Sequence, residues 1–136
     1  MLTLAIIKPD AMAAGRAGKV LAHLEAAGFR MRAARLVQLT REQAEAFYAV
    51  HRERPFFRPL VTFMTSGPSL ALALERADAV SKLREVIGAT DPKEAAPGTV
   101  RALYAETKER NAIHASDSSE NAAREVGFFF PERDLV

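Results

Sequence analysis

The apolar run Leu2–Ile7, broken only by Thr3, ends at Lys8-Pro9-Asp10. A run this short, apolar and bounded by Pro predicts a buried central strand. Ala17, Val20, Leu21 and Leu24 then recur at helical spacing, and Gly28 supplies a stop. Residues 29–39 begin with alternation, Phe29, Met31 and Ala33 against Arg30 and Arg32, and predict a second strand. Thr40-Arg41-Glu42-Gln43 has capping-box spacing and opens a helix towards Val50, interrupted at Arg54-Pro55. Residues 56–65 predict a further short helix, stopped by Gly67-Pro68.

Residues 70–74 read as a third strand, and 77–87 as a helix ended by Gly88. Residues 89–98 are rich in Pro, Asp and Thr and read as an ordered surface loop, followed by a short helix over 99–105. The polar segment 107–116 is expected to be irregular. Asp117-Ser118-Ser119-Glu120 starts a helix reaching about Glu125, and 127–130 reads as a last short strand. This order predicts an α+β sandwich with helices on one face of an antiparallel sheet. Inserted helices fall between strands two and four.

The length, 136 residues, fits one domain with one core, spanning 1–136. With 49% hydrophobic and 26% charged residues, a disordered or fibrous chain is excluded. The first apolar stretch is too short for a membrane span, and no basic stretch precedes it as in a signal peptide. There are no cysteines, which removes disulfides and thiolate metal sites. A soluble cytoplasmic protein is the expectation. The net charge of +2, from 19 basic and 17 acidic side chains, gives no argument for nucleic acid.

Three histidines are candidates for chemistry. His23 lies inside the amphipathic first helix, and His51 closes a helix before Pro55, where a histidine is favourable in any protein. His114 stands in the polar segment Asn111-Ala112-Ile113-His114-Ala115-Ser116-Asp117-Ser118, the kind of place that carries catalytic groups. Too few His and no Cys argue against structural zinc. No G-x-S-x-G elbow occurs, and Ser116 and Asp117 lie too near His114 in sequence for a hydrolase triad. An imidazole can itself attack phosphorus if its other nitrogen is held by an acceptor. Glu125 is a plausible acceptor, with Ser116 as a buttress. Lys8, Arg84 and Arg101 are candidate cations for a phosphoryl group. The Walker pattern fails, since Val20 follows Gly18-Lys19. Phe56-Phe57 offers either a base-stacking face or a core pair. These features allow phosphoryl transfer without demanding it.

Six segments together resemble the nucleoside diphosphate kinase family, in order and over essentially the whole chain. They are Ile7-Lys8-Pro9-Asp10; Tyr48 through Arg54-Pro55-Phe56-Phe57; Thr65-Ser66-Gly67-Pro68; Gly88-Ala89-Thr90-Asp91-Pro92; Pro97-Gly98-Thr99-Val100-Arg101; and the segment around His114. The resemblance implies a ferredoxin-like α+β fold, a four-stranded antiparallel sheet covered by helices. It implies ping-pong transfer of a γ-phosphate, from ATP for example, to a nucleoside diphosphate through a phosphorylated His114. Lys8 and Tyr48 would serve the moving phosphoryl group, and Lys8 and Asn111 the ribose. His51, Arg84, Thr90 and Arg101 would hold phosphates, and Phe56 would stack on the base. Glu125, assisted by Ser116, would orient His114. Mg2+ would ride mainly on the nucleotide phosphates, with no dedicated protein site. Stacking without base-edge contacts implies acceptance of many nucleotides, ribo and deoxyribo alike. Family members are homo-oligomers, and the Pro97-Gly98 loop with the tail after Phe130 favours a hexamer over a tetramer.

The chain departs from the family pattern in three places. Ala102-Leu103 follow Arg101 where Gly-Asp is common, Ala115 replaces a common Gly, and Lys108 stands where a small apolar residue often covers the base. The alternative reading is an RRM-like nucleic-acid-binding module of related sheet topology. That module needs paired aromatics on its central strands, and Leu2–Ile7 and residues 70–74 contain none. A third reading, an inert relative used in assembly, conflicts with the full set of matched residues.

Overall fold

The computed structural model describes residues 1–136. Strand β1 (Leu2–Ile7) lies inside a four-stranded sheet and is almost wholly buried. It pairs antiparallel with β3 (Ser69–Glu75) on one side and β4 (Ile113–Ala115) on the other. Strand β2 (Arg30–Val37) pairs with the outer side of β3, giving the order β2-β3-β1-β4. The helices are α1 (Pro9–Ala13), α2 (Ala17–Ala26), α3 (Arg41–Phe47), α4 (Phe57–Met64), α5 (Ala79–Ile87), α6 (Val100–Tyr104) and α7 (Ser119–Phe129). Single 3-10 turns lie at Ala49–His51 and Glu132–Asp134.

Helices cover both faces of the sheet, where the sequence suggested one. The cause is in β1 and β3, which are apolar on successive positions, so both alternating sets of side chains require cover. Ala5, Ile7, Leu72 and Leu74 pack with Val20, Leu24, Leu83 and Ile87 from α2 and α5. Leu4, Ile6, Ala71 and Ala73 pack with Phe47, Val61, Met64, Val126 and Phe129 from α3, α4 and α7. No open sheet face is left for stacked nucleotides, which counts against the RRM-like reading.

The capping box at Thr40 forms as expected, Thr40 accepting from the Gln43 amide while the Gln43 side chain accepts from Thr40. Several other expectations change. The fourth strand is Ile113–Ala115, inside the segment expected to be irregular, and not 127–130. Three residues are too few to show a period, and β4 exists because β1 offers it a free edge. Residues 127–129 instead extend α7, whose buried Ala122, Glu125, Val126 and Phe129 follow helical spacing. The N-cap of α7 is Ser118, accepting from the Asn121 amide, one residue later than the predicted start. The short α1, with Pro9 in its first turn, was not anticipated. Strand β2 is an edge strand with no buried position, and an irregularity between Met31 and Ala33 breaks its alternation.

Gly88 ends α5 at φ +88°. A Cβ there would stand 2.5 Å from Thr99 Oγ1 and 2.8 Å from Thr99 Cβ. Thr99 caps α6, and the Gly88 carbonyl accepts from Arg101. Gly88→Ala is therefore expected to destabilise the chain by about 2–4 kcal/mol, from backbone strain plus the clash. A denaturant melt measures this, and wild-type stability would refute it.

Candidate active site

Strand β4 places His114 opposite Ile6 of β1. Its ring lies edge-on to Phe47 and Tyr48, with centroids at 5.3 and 5.9 Å. The His114 side chain is 19% exposed, so one edge reaches solvent while the rest is held. Nε2 lies 2.7 Å from Glu125 Oε1, and the same oxygen accepts from Ser116 Oγ at 2.8 Å. Burial pushes the Glu125 carboxyl up, but the hydrogen bond from His114, the His114 charge, Ser116 and Arg124 outweigh it. The net effect holds Glu125 below its ordinary value, as a carboxylate. A carboxylate only accepts, so Nε2 carries the proton and Nδ1 presents a lone pair. Nδ1 has no hydrogen bond within the protein.

The cations come from three separate elements. Lys8 directly follows β1, is 6% exposed, and donates to Asn111 Oδ1 at 2.8 Å. Burial, and then the charge of Arg101, lower it to about 8, while Asp10 opposes them. Arg84 of α5 donates to the Ala115 carbonyl at 3.2 Å. Arg101 of α6 donates to the carbonyls of Ile113 at 2.8 Å and Gly88 at 3.1 Å. Burial and the neighbouring Arg84 lower Arg101 to about 10. Both arginines are thus tethered to carbonyls on or beside the strand that carries His114. The Arg101 Nε and the Tyr48 hydroxyl are buried without a protein partner. Burial, with Glu125 nearby, raises the Tyr48 hydroxyl well above its ordinary range, so it is a neutral donor.

One cavity of about 330 Å³ is lined by nine of the eleven residues singled out from the sequence: Lys8, Tyr48, His51, Phe56, Arg84, Thr90, Arg101, His114 and Glu125. Ser116 stands behind Glu125. Asn111 lines an adjoining cavity of about 410 Å³ with Lys8, Phe56, Thr90 and Lys108. Phe56 is half exposed at 49%, with the His51 ring 5.2 Å away, while its neighbour Phe57 is buried core. Asp117 and Asn121 also line the first cavity and were not singled out, although Asp117, just before the N-cap of α7, accepts from the Asn121 side chain at 2.6 Å and their four-residue spacing across the helix start was readable. A second omission is the turn before β4. The Ile113 amide bonds to the Asn111 carbonyl at 2.9 Å, with Ala112 between them at φ +73°. That is a strained γ-turn-like conformation for a residue with a side chain.

A family model for nucleoside diphosphate kinase matches residues 2–135. The nucleoside diphosphate kinase of Legionella pneumophila strain Philadelphia 1 is 55% identical over 134 residues, 98% of this chain and 95% of that protein. That of Bordetella petrii is 57% identical over 133 residues, covering 98% and 94%. Among solved structures, the Aquifex aeolicus nucleoside diphosphate kinase superposes with a TM-score of 0.97 at 48% identity, covering 99% of this chain and 98% of that one. A halophilic nucleoside diphosphate kinase from Halobacterium salinarum, in complex with CDP, gives 0.95 at 38% identity, covering 100% and 91%. The chain belongs to the nucleoside diphosphate kinase family and is a phosphotransferase.

Proposed function

We propose that the single domain 1–136 moves the γ-phosphate of a nucleoside triphosphate such as ATP onto a nucleoside diphosphate, ribo or deoxyribo, through phosphorylated His114. The observation that carries this is the His114–Glu125–Ser116 relay, which leaves Nδ1 as the free nucleophile beside buried cations. Nδ1 attacks the γ-phosphorus, and the bond to the β–γ bridging oxygen breaks. The nucleoside diphosphate leaves with that electron pair. Glu125 keeps the Nε2 proton in place and offsets the positive charge on the ring. An acceptor diphosphate then attacks the phosphorus, and the P–N bond returns its electrons to Nδ1. Lys8, Arg84, Arg101 and the Tyr48 hydroxyl offset charge on the moving group. His51 and Thr90 hold the remaining phosphates, Asn111 and Lys8 the ribose, and Phe56 one face of the base. Stacking is indifferent to base identity. Lys108 would lie on the base side of the adjoining cavity.

Mg2+ is a hard cation that takes oxygen ligands. No group of three or more His, Asp or Glu is placed to hold an ion, so the phosphate oxygens would supply most of its ligands. When bound, the ion would neutralise phosphate charge. We also place the protein in the cytoplasm, as a homo-oligomer, with a hexamer favoured by the Pro97-Gly98 loop; its mass in solution is the check. No helix is long and apolar enough to cross a membrane.

Incubation with γ-labelled ATP and Mg2+ should give a phosphoprotein that is stable in alkali and lost in acid. An alkali-labile, acid-stable label would point to a different residue and sink the mechanism.

Glu125→Gln tests the relay. The amide still accepts from Nε2 but no longer offsets the charge that develops on the ring. The phosphorylation rate is expected to fall about 10- to 100-fold, with nucleotide affinity little changed. An unchanged single-turnover rate would remove Glu125 from the mechanism.

A further inference from the structure

We infer that Asp10 is a positioning residue for this site: its carboxylate holds the strained turn at Ala112 and thereby sets Lys8 between the two adjoining cavities and Asn111 against the second of them. The inference rests on the function proposed above.

Asp10 is 4% exposed, in the first turn of α1. Its Oδ2 accepts from the Ala112 amide at 3.0 Å. The Lys8 amide donates to the Ala112 carbonyl at 2.9 Å. Both polar groups of Ala112 are therefore gripped by one three-residue segment, Lys8-Pro9-Asp10. Ala112 needs the grip. It is wholly buried at φ +73°, a conformation that L side chains rarely adopt and that persists only where surroundings impose it. On one side of the turn stands Asn111, which accepts from Lys8 Nζ at 2.8 Å and donates to the Thr90 carbonyl at 3.2 Å. On the other side β4 begins, one residue before His114. Pro9 fixes φ between Lys8 and Asp10, so a shift at the turn is felt at Lys8.

A buried carboxylate is costly unless it is well bonded, and Oδ1 of Asp10 has no partner. A residue serving stability alone would be better replaced by an uncharged acceptor. The charge has a use at Lys8. Lys8 faces Asp10 and Arg101, and Asp10 faces Lys8 and Arg110. Burial and Arg101 lower Lys8, and Asp10 acts against both. Asp10 thus has two separable effects: an acceptor that holds the turn, and a charge that keeps Lys8 protonated.

The test is steady-state exchange, its pH profile and thermal melting for Asp10→Ala, Asp10→Asn and the double variant Asp10→Ala/Ala112→Gly. Asp10→Ala frees the turn, and kcat/KM is expected to fall about 10- to 100-fold, mostly through KM. Asp10→Asn keeps an acceptor for the Ala112 amide. It should stay near wild type on the acid side of neutrality, with the alkaline fall of kcat/KM moved to lower pH. In the double variant Gly adopts the positive φ freely, so much of the loss should be regained. Wild-type kcat/KM in Asp10→Ala, even with a lowered melting temperature, would overturn the inference. So would a loss in Asp10→Asn as large as in Asp10→Ala. Should Asp10→Ala not fold, Asp10→Ser, too short to reach the turn, takes its place. A wild-type chain that forms no phosphoenzyme would defeat the proposed function itself, whereas an active wild type with unaffected Asp10 variants defeats only this inference.

Discussion

His114→Ala is expected to abolish phosphoenzyme formation and to slow nucleotide exchange by about 10⁴-fold or more. Loss of a covalent nucleophile costs this much because no other group can replace the intermediate. The surroundings support so large an effect. Lys8 and the arginines lower the barrier for a phosphoryl group only when a nucleophilic atom stands at the right point, and as cations they donate hydrogen bonds instead of attacking. Tyr48 has its hydroxyl pushed well above its ordinary range by burial and by Glu125, so it does not become a substitute nucleophile. The variant also has a stability signature. Glu125 is held below its ordinary value with His114 as the main opponent of burial. A lowered carboxyl contributes stability above its unfolded value, and that contribution is lost as pH falls. Without His114 the contribution shrinks, so the variant should unfold more readily near neutral pH while folding normally otherwise. A thermal melt beside the labelling assay separates this from loss of the fold. Full exchange activity in a folded His114→Ala protein would end the mechanism.

The fold and the site were legible in the sequence to different depths. β1 was readable because a short apolar run before Lys-Pro admits few other readings, and Lys8 follows from it at once. The Thr40 box was readable because capping is local. β4 was not, since Ile113–Ala115 is a strand only by virtue of its pairing with Ala5, Ile6 and Ile7. Phe128, Phe129 and Phe130 suggested a strand by propensity, and tertiary packing overrode it by burying Phe129 on the helical stripe while Phe128 stays 36% exposed. The site follows the same division. His114 and Glu125 lie eleven residues apart, and their meeting required both β4 and α7 to be placed. Arg84 and Arg101 belong to different helices, and no local pattern says that both turn towards His114. Family resemblance supplied that set of residues; the geometry adds where each is anchored. The Asp10–Ala112 contact had no local signal, because it joins residues a hundred positions apart.

Lys8→Met should lose about 10²–10³-fold in kcat/KM, and yet make the protein more stable at pH 7. The first effect follows from removing a buried charge aimed at the transferring group, in a place where water does not screen it. The second follows from the sign of the shift. Lys8 is lowered from 10.5 to about 8, chiefly by burial, so the folded chain carries a charge that the unfolded chain carries more comfortably. Between about pH 8 and 10.5 the unfolded state binds the extra proton, and wild-type stability therefore rises with pH across that window. Methionine removes the penalty at neutral pH but forfeits the hydrogen bond to Asn111, leaving a net gain on the order of 1–2 kcal/mol. That gain should fade as pH climbs past 8, because the wild-type lysine sheds its charge there too. The same titration sets the kinetics. The profile of kcat/KM reports the free enzyme, so it should fall above about pH 8 as Lys8 deprotonates, while Arg101, at about 10, keeps its charge longer. Bound phosphate favours the protonated lysine, so the corresponding fall in kcat should come at higher pH, and nucleotide binding near pH 8.5 should take up protons. Calorimetry in two buffers of different ionisation enthalpy measures that uptake. Absence of proton uptake, or a Lys8→Met protein less stable than wild type at pH 7, would mean that Lys8 is solvated and not held bare for the phosphate.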